Sequence, residues 1–337
     1  MTLKQIAAEL GISYSTVSRV INGYERNFSV KPELRARILE KIRETQFSPD
    51  PLYRSLRKKN NRQISFIFPF SIRELEGTVV GDAVYYLEEK LSRNRFQFHY
   101  LFNSREAEAT YRLPPWKAAG FIVPDVRSPE QVGELEKSDV PYVVLNGVCG
   151  GKGTAVMTDD LWNMTRAMEY LFSLGHTRIG YLNCNRISSP PELRPHSSIT
   201  DRRAAYLEFC SRHGMEPLNG YDDRKTPTEF NIRSLLEQNA SAVIAYDLPI
   251  AIEAVHALWK LRIRIPEDVS VLCFNNHRFA EYMVPPLTTL EIPAKEMGEA
   301  AADIIMKRHV DPEYARGKTV SFRGKLIVRQ STGAYRK

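Results

Sequence analysis

The chain has 337 residues, of which 43% are hydrophobic and 26% charged, and its formal net charge is +7. That length allows two or three domains with a real core, and that composition excludes a disordered chain. No apolar run is long enough to span a bilayer, the opening MTLKQIAAEL has no signal-peptide pattern, and Cys149, Cys184, Cys210 and Cys273 are scattered without a Cys-x-x-Cys pair. The expectation is a cytoplasmic protein with reduced cysteines, not a disulfide frame or a metal site.

The charge is unevenly placed. Residues 1–62 hold 13 Lys and Arg against 6 Asp and Glu, and the remainder holds 34 of each. A basic N-terminal module on a neutral body points to an anionic polymer, nucleic acid above all. A solubilising face is the plainer alternative.

Thr2 and Gln5 match a capping box, and Leu3, Ile6, Ala7 and Leu10 form an apolar stripe behind them. Gly11 can close that helix, and Ser13 can cap the next, with Ile12 and Val17 as a hydrophobic staple. In GISYSTVSRVINGY, residues 11–24, Val17, Val20 and Ile21 share one face, and Tyr14, Ser15, Ser18, Arg19 and Asn22 share the other. Hydroxyls lower helix propensity, but here they supply groups that can reach base edges and phosphates, a small helical bundle with a solvated polar face being the plainer alternative. Helix, tight turn and second helix is the helix-turn-helix plan. A third amphipathic helix is expected in KPELRARILEKIRETQF, with Leu34, Ile38, Leu39 and Ile42 inward and Pro32 in its first turn.

SPDPLYRSLRKKNNR follows. Asp50 can cap a helix that Pro51 begins, and Leu52 and Leu56 then lie one turn apart among Arg54, Arg57, Lys58 and Lys59. The segment is shorter than the roughly 12–15 residues an isolated helix needs in water, so it can order on binding. By residue pattern alone a basic flexible linker is the alternative.

From residue 63 short apolar runs (QISFIFPF, FQFHYLF, GFIVPD, PYVVLNG, RIGYLNC, SAVIAYD, VSVLCFNN) alternate with helical stretches such as GDAVYYLEEKLSRN and LWNMTRAMEYLFSLG. Alternation of this kind implies parallel sheets covered by helices, with ligands beyond the carboxyl ends of the strands. GGKGT at 150–154 lacks phosphate-loop spacing and reads as a flexible loop, and His99, His196, His213, His256, His277 and His309 show no partner pattern.

TLKQIAAELGISYSTVSRVINGY closely resembles the DNA-binding headpiece of the LacI/GalR family of bacterial transcription regulators, and STVSRVING is its most specific core. The resemblance runs through FSPDPLYRSLRKKNNRQISFIFP, the family's hinge, and patchily to the C-terminus. YERNFSVKP is a few residues longer than the usual connection between the second and third helices. The implied organisation is an all-α helix-turn-helix headpiece over 1–48, a hinge over 49–62 and an α/β body over 63–337. The body would hold two periplasmic-binding-protein-like subdomains with parallel sheets. The first covers about 63–160 and 288–310, and the second about 161–287 and 318–332.

The resemblance also implies site residues. Thr2, Tyr14, Ser15, Thr16, Ser18, Arg19 and Asn22 would meet DNA from the headpiece, and Arg54, Leu56, Arg57, Lys58 and Lys59 from the hinge. Leu56 matches the leucine that wedges into the minor groove, although Tyr53 replaces a small residue before it. Phe70, Asn146, Arg202, Tyr246, Asp247 and Asn275 would contact the effector, with Arg202 as a forked donor to hydroxyls or carboxylates. Asn146 and Asn275 stand where the family usually has aspartates, and Tyr246 where it has asparagine. Two lost negative charges suit an acidic sugar; an unusual neutral sugar and a pocket without effector control are the alternatives.

The expected function is a sequence-specific repressor that binds a palindromic double-stranded DNA operator as a homodimer. It would be controlled by a small carbohydrate effector, without enzymatic activity, cofactor or membrane partner. The competing reading is a cytoplasmic sugar-binding protein of the same body fold without effector-controlled repression.

Overall fold

The computed structural model describes residues 2–22, 30–45, 62–68, 78–102, 113–114, 118–183, 195–219 and 226–336. The chain divides into two compact units, residues 1–61 and 62–337.

The first unit contains α1 (Leu3–Glu9), α2 (Tyr14–Asn22) and α3 (Pro32–Glu44). Thr2 and Gln5 form a reciprocal capping box at the start of α1. Gly11 follows with φ of +65°, a left-handed conformation that lets the chain turn tightly into α2. Ile6, Ala7, Val17, Val20 and Ile38 make the core, so each helix contributes its predicted apolar stripe.

The second unit is built on two six-stranded sheets. The first has the order β11–β5–β4–β3–β1–β2, from β1 (Gln63–Phe68), β2 (Gln97–Phe102), β3 (Gly120–Pro124), β4 (Tyr142–Leu145), β5 (Gly153–Thr158) and β11 (Lys318–Phe322). All its pairings are parallel. The second has the order β12–β10–β9–β8–β6–β7, from β6 (Ile179–Leu182), β7 (Leu218–Asn219), β8 (Ala242–Ala245), β9 (Ser270–Phe274), β10 (Thr288–Glu291) and β12 (Lys325–Ile327). Only β12 runs antiparallel, against β10. Helices cover both faces, so β1, β3, β4, β8 and β9 are buried along their whole length and read as continuous apolar runs.

The chain passes between the lobes after β5, after β10 and after β11. The expected division is corrected here. Residues 288–291 belong to the second lobe, because β10 pairs with β9. Residues 318–322 belong to the first, because β11 pairs with β5. Only α10 (Ala294–Val310) returns to the first lobe as expected from 288–310, packing against α4 (Val79–Arg93). A crossing strand carries the same apolar pattern whichever sheet it joins, so hydropathy does not assign it.

Candidate DNA-binding and ligand-binding sites

Ser13 organises the start of α2. Its Oγ accepts the Thr16 N–H at 3.1 Å and lies 2.8 Å from the hydroxyls of both Ser15 and Thr16. With Val17 and Val20 buried, Ser15 and Arg19 are exposed, and Tyr14, Thr16 and Ser18 are half-exposed. This is the geometry a recognition helix needs: an apolar underside fixed to the core and a hydrogen-bonding face outward. Thr16 serves the local cap as well as that face, and Thr2 lies exposed at the start of α1 as its cap. Asn22 ends α2, but its side chain lies outside the described residues, as do Arg54, Leu56, Arg57, Lys58, Lys59 and Phe70.

Five predicted effector residues lie within the described body. Asn146 and Asn275 each follow the last residue of a strand, β4 in the first lobe and β9 in the second. Both are left-handed, with φ of +55° and +66°, a conformation asparagine tolerates better than most residues. Backbone bonds fix both: the Asn146 N–H donates to the Val156 carbonyl and the Asn275 N–H to that of Leu290. Yet each side-chain Oδ1 is buried without a hydrogen-bond partner among the described residues. A buried acceptor left unmet costs about 1–3 kcal/mol, so each calls for a donor from water or a ligand.

Arg202 lies on α7 (Ser197–Arg212) and is buried. Its Nε donates to Asp160 Oδ1 at 2.7 Å and its Nη1 to the Tyr246 carbonyl at 2.8 Å. The guanidinium sits 4.0 Å from the Phe274 ring centre and 4.7 Å from that of Tyr246. Burial is the largest single influence and pulls the Arg202 pKa down, but the Asp160 carboxylate together with Tyr246 and Tyr181 outweighs it, and the net shift is upward. Asp160, at the start of α6 (Asp160–Ser173), also accepts from the Thr158 hydroxyl. Two of the fork's nitrogens therefore hold the second lobe together. Nη2 makes no hydrogen bond among the described residues and is the donor left for a ligand.

Tyr246 is buried, with its hydroxyl 2.5 Å from Ser198 Oγ. Asp247 caps α9 (Leu248–Lys260) by accepting the Ile250 N–H at 3.0 Å. Its retained carboxylate thus has a structural task at the strand-to-helix turn. His196, which shows no pattern in the sequence, caps α7 and bonds the Asn146 carbonyl through Nε2 at 2.7 Å. Its partner is 50 positions away, so only the tertiary fold exposes the link. The sequence signal that remains is a histidine followed by two serines immediately before a helical run. Burial raises the Asp82 carboxyl pKa, and His277 opposes that rise.

A cavity of about 290 Å³ opens between the lobes. It is lined by Val126, Arg127, Gly147 and Val148 on one side and Pro195, His196, Ser197 and Thr200 on the other. No predicted effector residue lines it, although it borders Asn146 through Gly147 and reaches His196. The ligand groups and this cavity are therefore neighbours, not one pocket.

Known proteins align with both units. The sequence profile of bacterial regulatory proteins of the lacI family matches residues 2–50, and that of a periplasmic binding protein-like domain matches residues 168–332. The HTH-type transcriptional repressor PurR of Mannheimia succiniciproducens is 24% identical over 342 residues, covering 98% of each chain. The lac repressor dimer bound to operator and the anti-inducer ONPF superposes with a TM-score of 0.78 at 18% identity, covering 99% of each chain. A LacI family transcriptional regulator from Enterococcus faecium with bound ribose gives 0.65 at 22%, covering 81% of this chain and all of that one. A helix-turn-helix headpiece and a two-lobed parallel body, matched end to end, place this chain in the LacI family of bacterial regulatory proteins.

Proposed function

We propose that the protein is a sequence-specific transcriptional repressor that binds a palindromic operator as a homodimer and responds to a small carbohydrate held between the two lobes of its body. The observation that carries the reading is α2, whose Val17 and Val20 are buried while Ser15 and Arg19 face out on a unit that holds 12 Lys and Arg against 6 Asp and Glu. Phosphate contacts from such a unit give affinity, and the outward polar face reads base edges. The DNA contacts extend into the hinge through Arg54, Leu56, Arg57, Lys58 and Lys59. Bacterial cytoplasm is the compartment that follows, and no helix among the described residues is long and apolar enough to cross a membrane.

The homodimer is supported by exposed apolar side chains on both lobes. Tyr85, Tyr100 and Phe102 lie on the first, and Trp259, Tyr282 and Val284 on the second, where Trp259 is 72% exposed. Side chains of this size mark a surface that a partner covers where they lie together, as Tyr100 and Phe102 do on the edge strand β2.

The effector meets Asn146 from one lobe and Asn275 and Arg202 from the other. Two unmet amide oxygens require donors, which sugar hydroxyls supply. A sugar acid carries hydroxyls as well, and its carboxylate would fall to Arg202 Nη2. Selection of the purified full chain against genomic DNA fragments at near-physiological salt tests the proposal. Enrichment of a palindrome is the expected result, and binding that is only salt-sensitive and blind to sequence would contradict it.

A further inference from the structure

His196 bonds through both ring nitrogens, and the two sides can be separated. The Asn146 carbonyl can only accept, so Nε2 carries the ring hydrogen and donates to it at 2.7 Å. In the neutral ring Nδ1 is then the acceptor, and it takes the Ser198 N–H at 3.1 Å, which caps α7. Ser198 Oγ lies 2.7 Å from the same Nδ1 and 2.5 Å from the Tyr246 hydroxyl, so the ring is braced from behind.

The two ends of this arrangement belong to different lobes. Asn146 terminates β4 of the first sheet, with its carbonyl aimed by a left-handed backbone and by its own N–H bond to Val156. His196 begins α7 of the second lobe and is 6% exposed. Further bonds between the lobes run through the crossing segments, as where Asn163 Oδ1 accepts the Gly324 N–H. The histidine bond lies away from those segments, at the cleft, and is partly buried. A shielded hydrogen bond is stronger than an exposed one, and breaking it leaves two buried polar groups unmet.

We infer that His196 is the positioning residue that latches the two lobes across the cleft before any effector arrives, so that the body rests closed. The inference rests on the reading of the body as a ligand-controlled clamp. An effector then acts on a cleft already shut. It must either fit beside the His196–Asn146 bond or displace it, and differential binding between latched and unlatched states is what moves the equilibrium.

Two substitutions separate the jobs. Asparagine puts a polar atom near the Nδ1 position, so His196→Asn keeps the cap and drops the latch. Glutamine reaches the Nε2 position, so His196→Gln keeps the latch and weakens the cap. Spin labels carried by unnatural amino acids at Lys137 and Glu216, whose side chains are 70% and 71% exposed, report the distance between the lobes and leave the native cysteines untouched. The measurement uses the full chain without DNA or sugar.

Wild type and His196→Gln are expected to give one narrow distance distribution. His196→Asn should shift it to longer distances and broaden it while melting within a few degrees of wild type. A wild-type distribution in His196→Asn, or equal opening in both variants, would overturn the latch. Should His196→Gln not fold, His196→Asn against wild type still decides. Because neither DNA nor sugar is present, a failed latch leaves the regulator reading standing, and a failed operator selection leaves the latch standing.

Discussion

Asn146 and Asn275 hold equivalent places at the ends of β4 and β9, and each keeps a buried amide oxygen without a donor. Replacing either with glycine, which accepts the left-handed backbone, should abolish the calorimetric heat of whichever sugar the protein binds, while the melting temperature changes little, because an unmet acceptor has been removed without backbone strain. A heat unchanged in both variants would move the ligand elsewhere. Arg202 behaves differently, since it is held by Asp160 inside the lobe. Arg202→Ala strands that carboxylate and should lower stability by about 3–5 kcal/mol in urea unfolding, and the double change with Asp160→Asn should recover part of the loss. On the headpiece, Arg19→Ala should cost about 1–3 kcal/mol of operator affinity and relax selectivity at one base pair. Unchanged selectivity would put Arg19 outside the groove.

Elements carry constraints of their own. α10 and α4 approach so closely that a Cβ on Gly298 would lie 2.1 Å from the Ala83 carbonyl oxygen. Backbone cannot give way as a side chain does, so Gly298→Ala should destabilise the first lobe by about 1–3 kcal/mol in denaturant titration. His176, after α6, is buried with Nε2 3.0 Å from the Gly333 carbonyl and Nδ1 2.9 Å from Ser241 Oγ. Burial lowers its pKa from 6.5, with the Gly333 carbonyl opposing. The unfolded chain therefore takes up a proton before the folded one does. Stability from this residue is full above pH 6.5 and falls as pH drops from there through the lowered folded value. Thermal melts between pH 7.5 and 5.5 should show the fall, and His176→Gln should flatten it.

At the scale of the molecule, the headpiece was legible almost residue by residue. Its caps, turn glycine and apolar stripes are local, and Thr2, Gln5 and Ser13 make the bonds their spacing implies. The alternation of the body was legible too, since a strand covered on both faces is a plain apolar run. Three things were hidden. β5 begins at Gly153 in a glycine-rich stretch that reads as a loop. The exchange of β10 and β11 between the sheets depends on pairing, which hydropathy does not encode. His196 and the second bond of Arg202 join residues 50 and 44 positions apart, so no local pattern announces them.

A sugar held between the lobes is expected to change how tightly the headpiece holds DNA. The most direct test is the operator affinity of the full chain, by fluorescence anisotropy, with and without a saturating concentration of the sugar that calorimetry identifies. Coupling of about 1–3 kcal/mol corresponds to a change of roughly 5–150-fold, and a shift in that range is expected. A sugar that binds the body yet leaves operator affinity unchanged within twofold would contradict it.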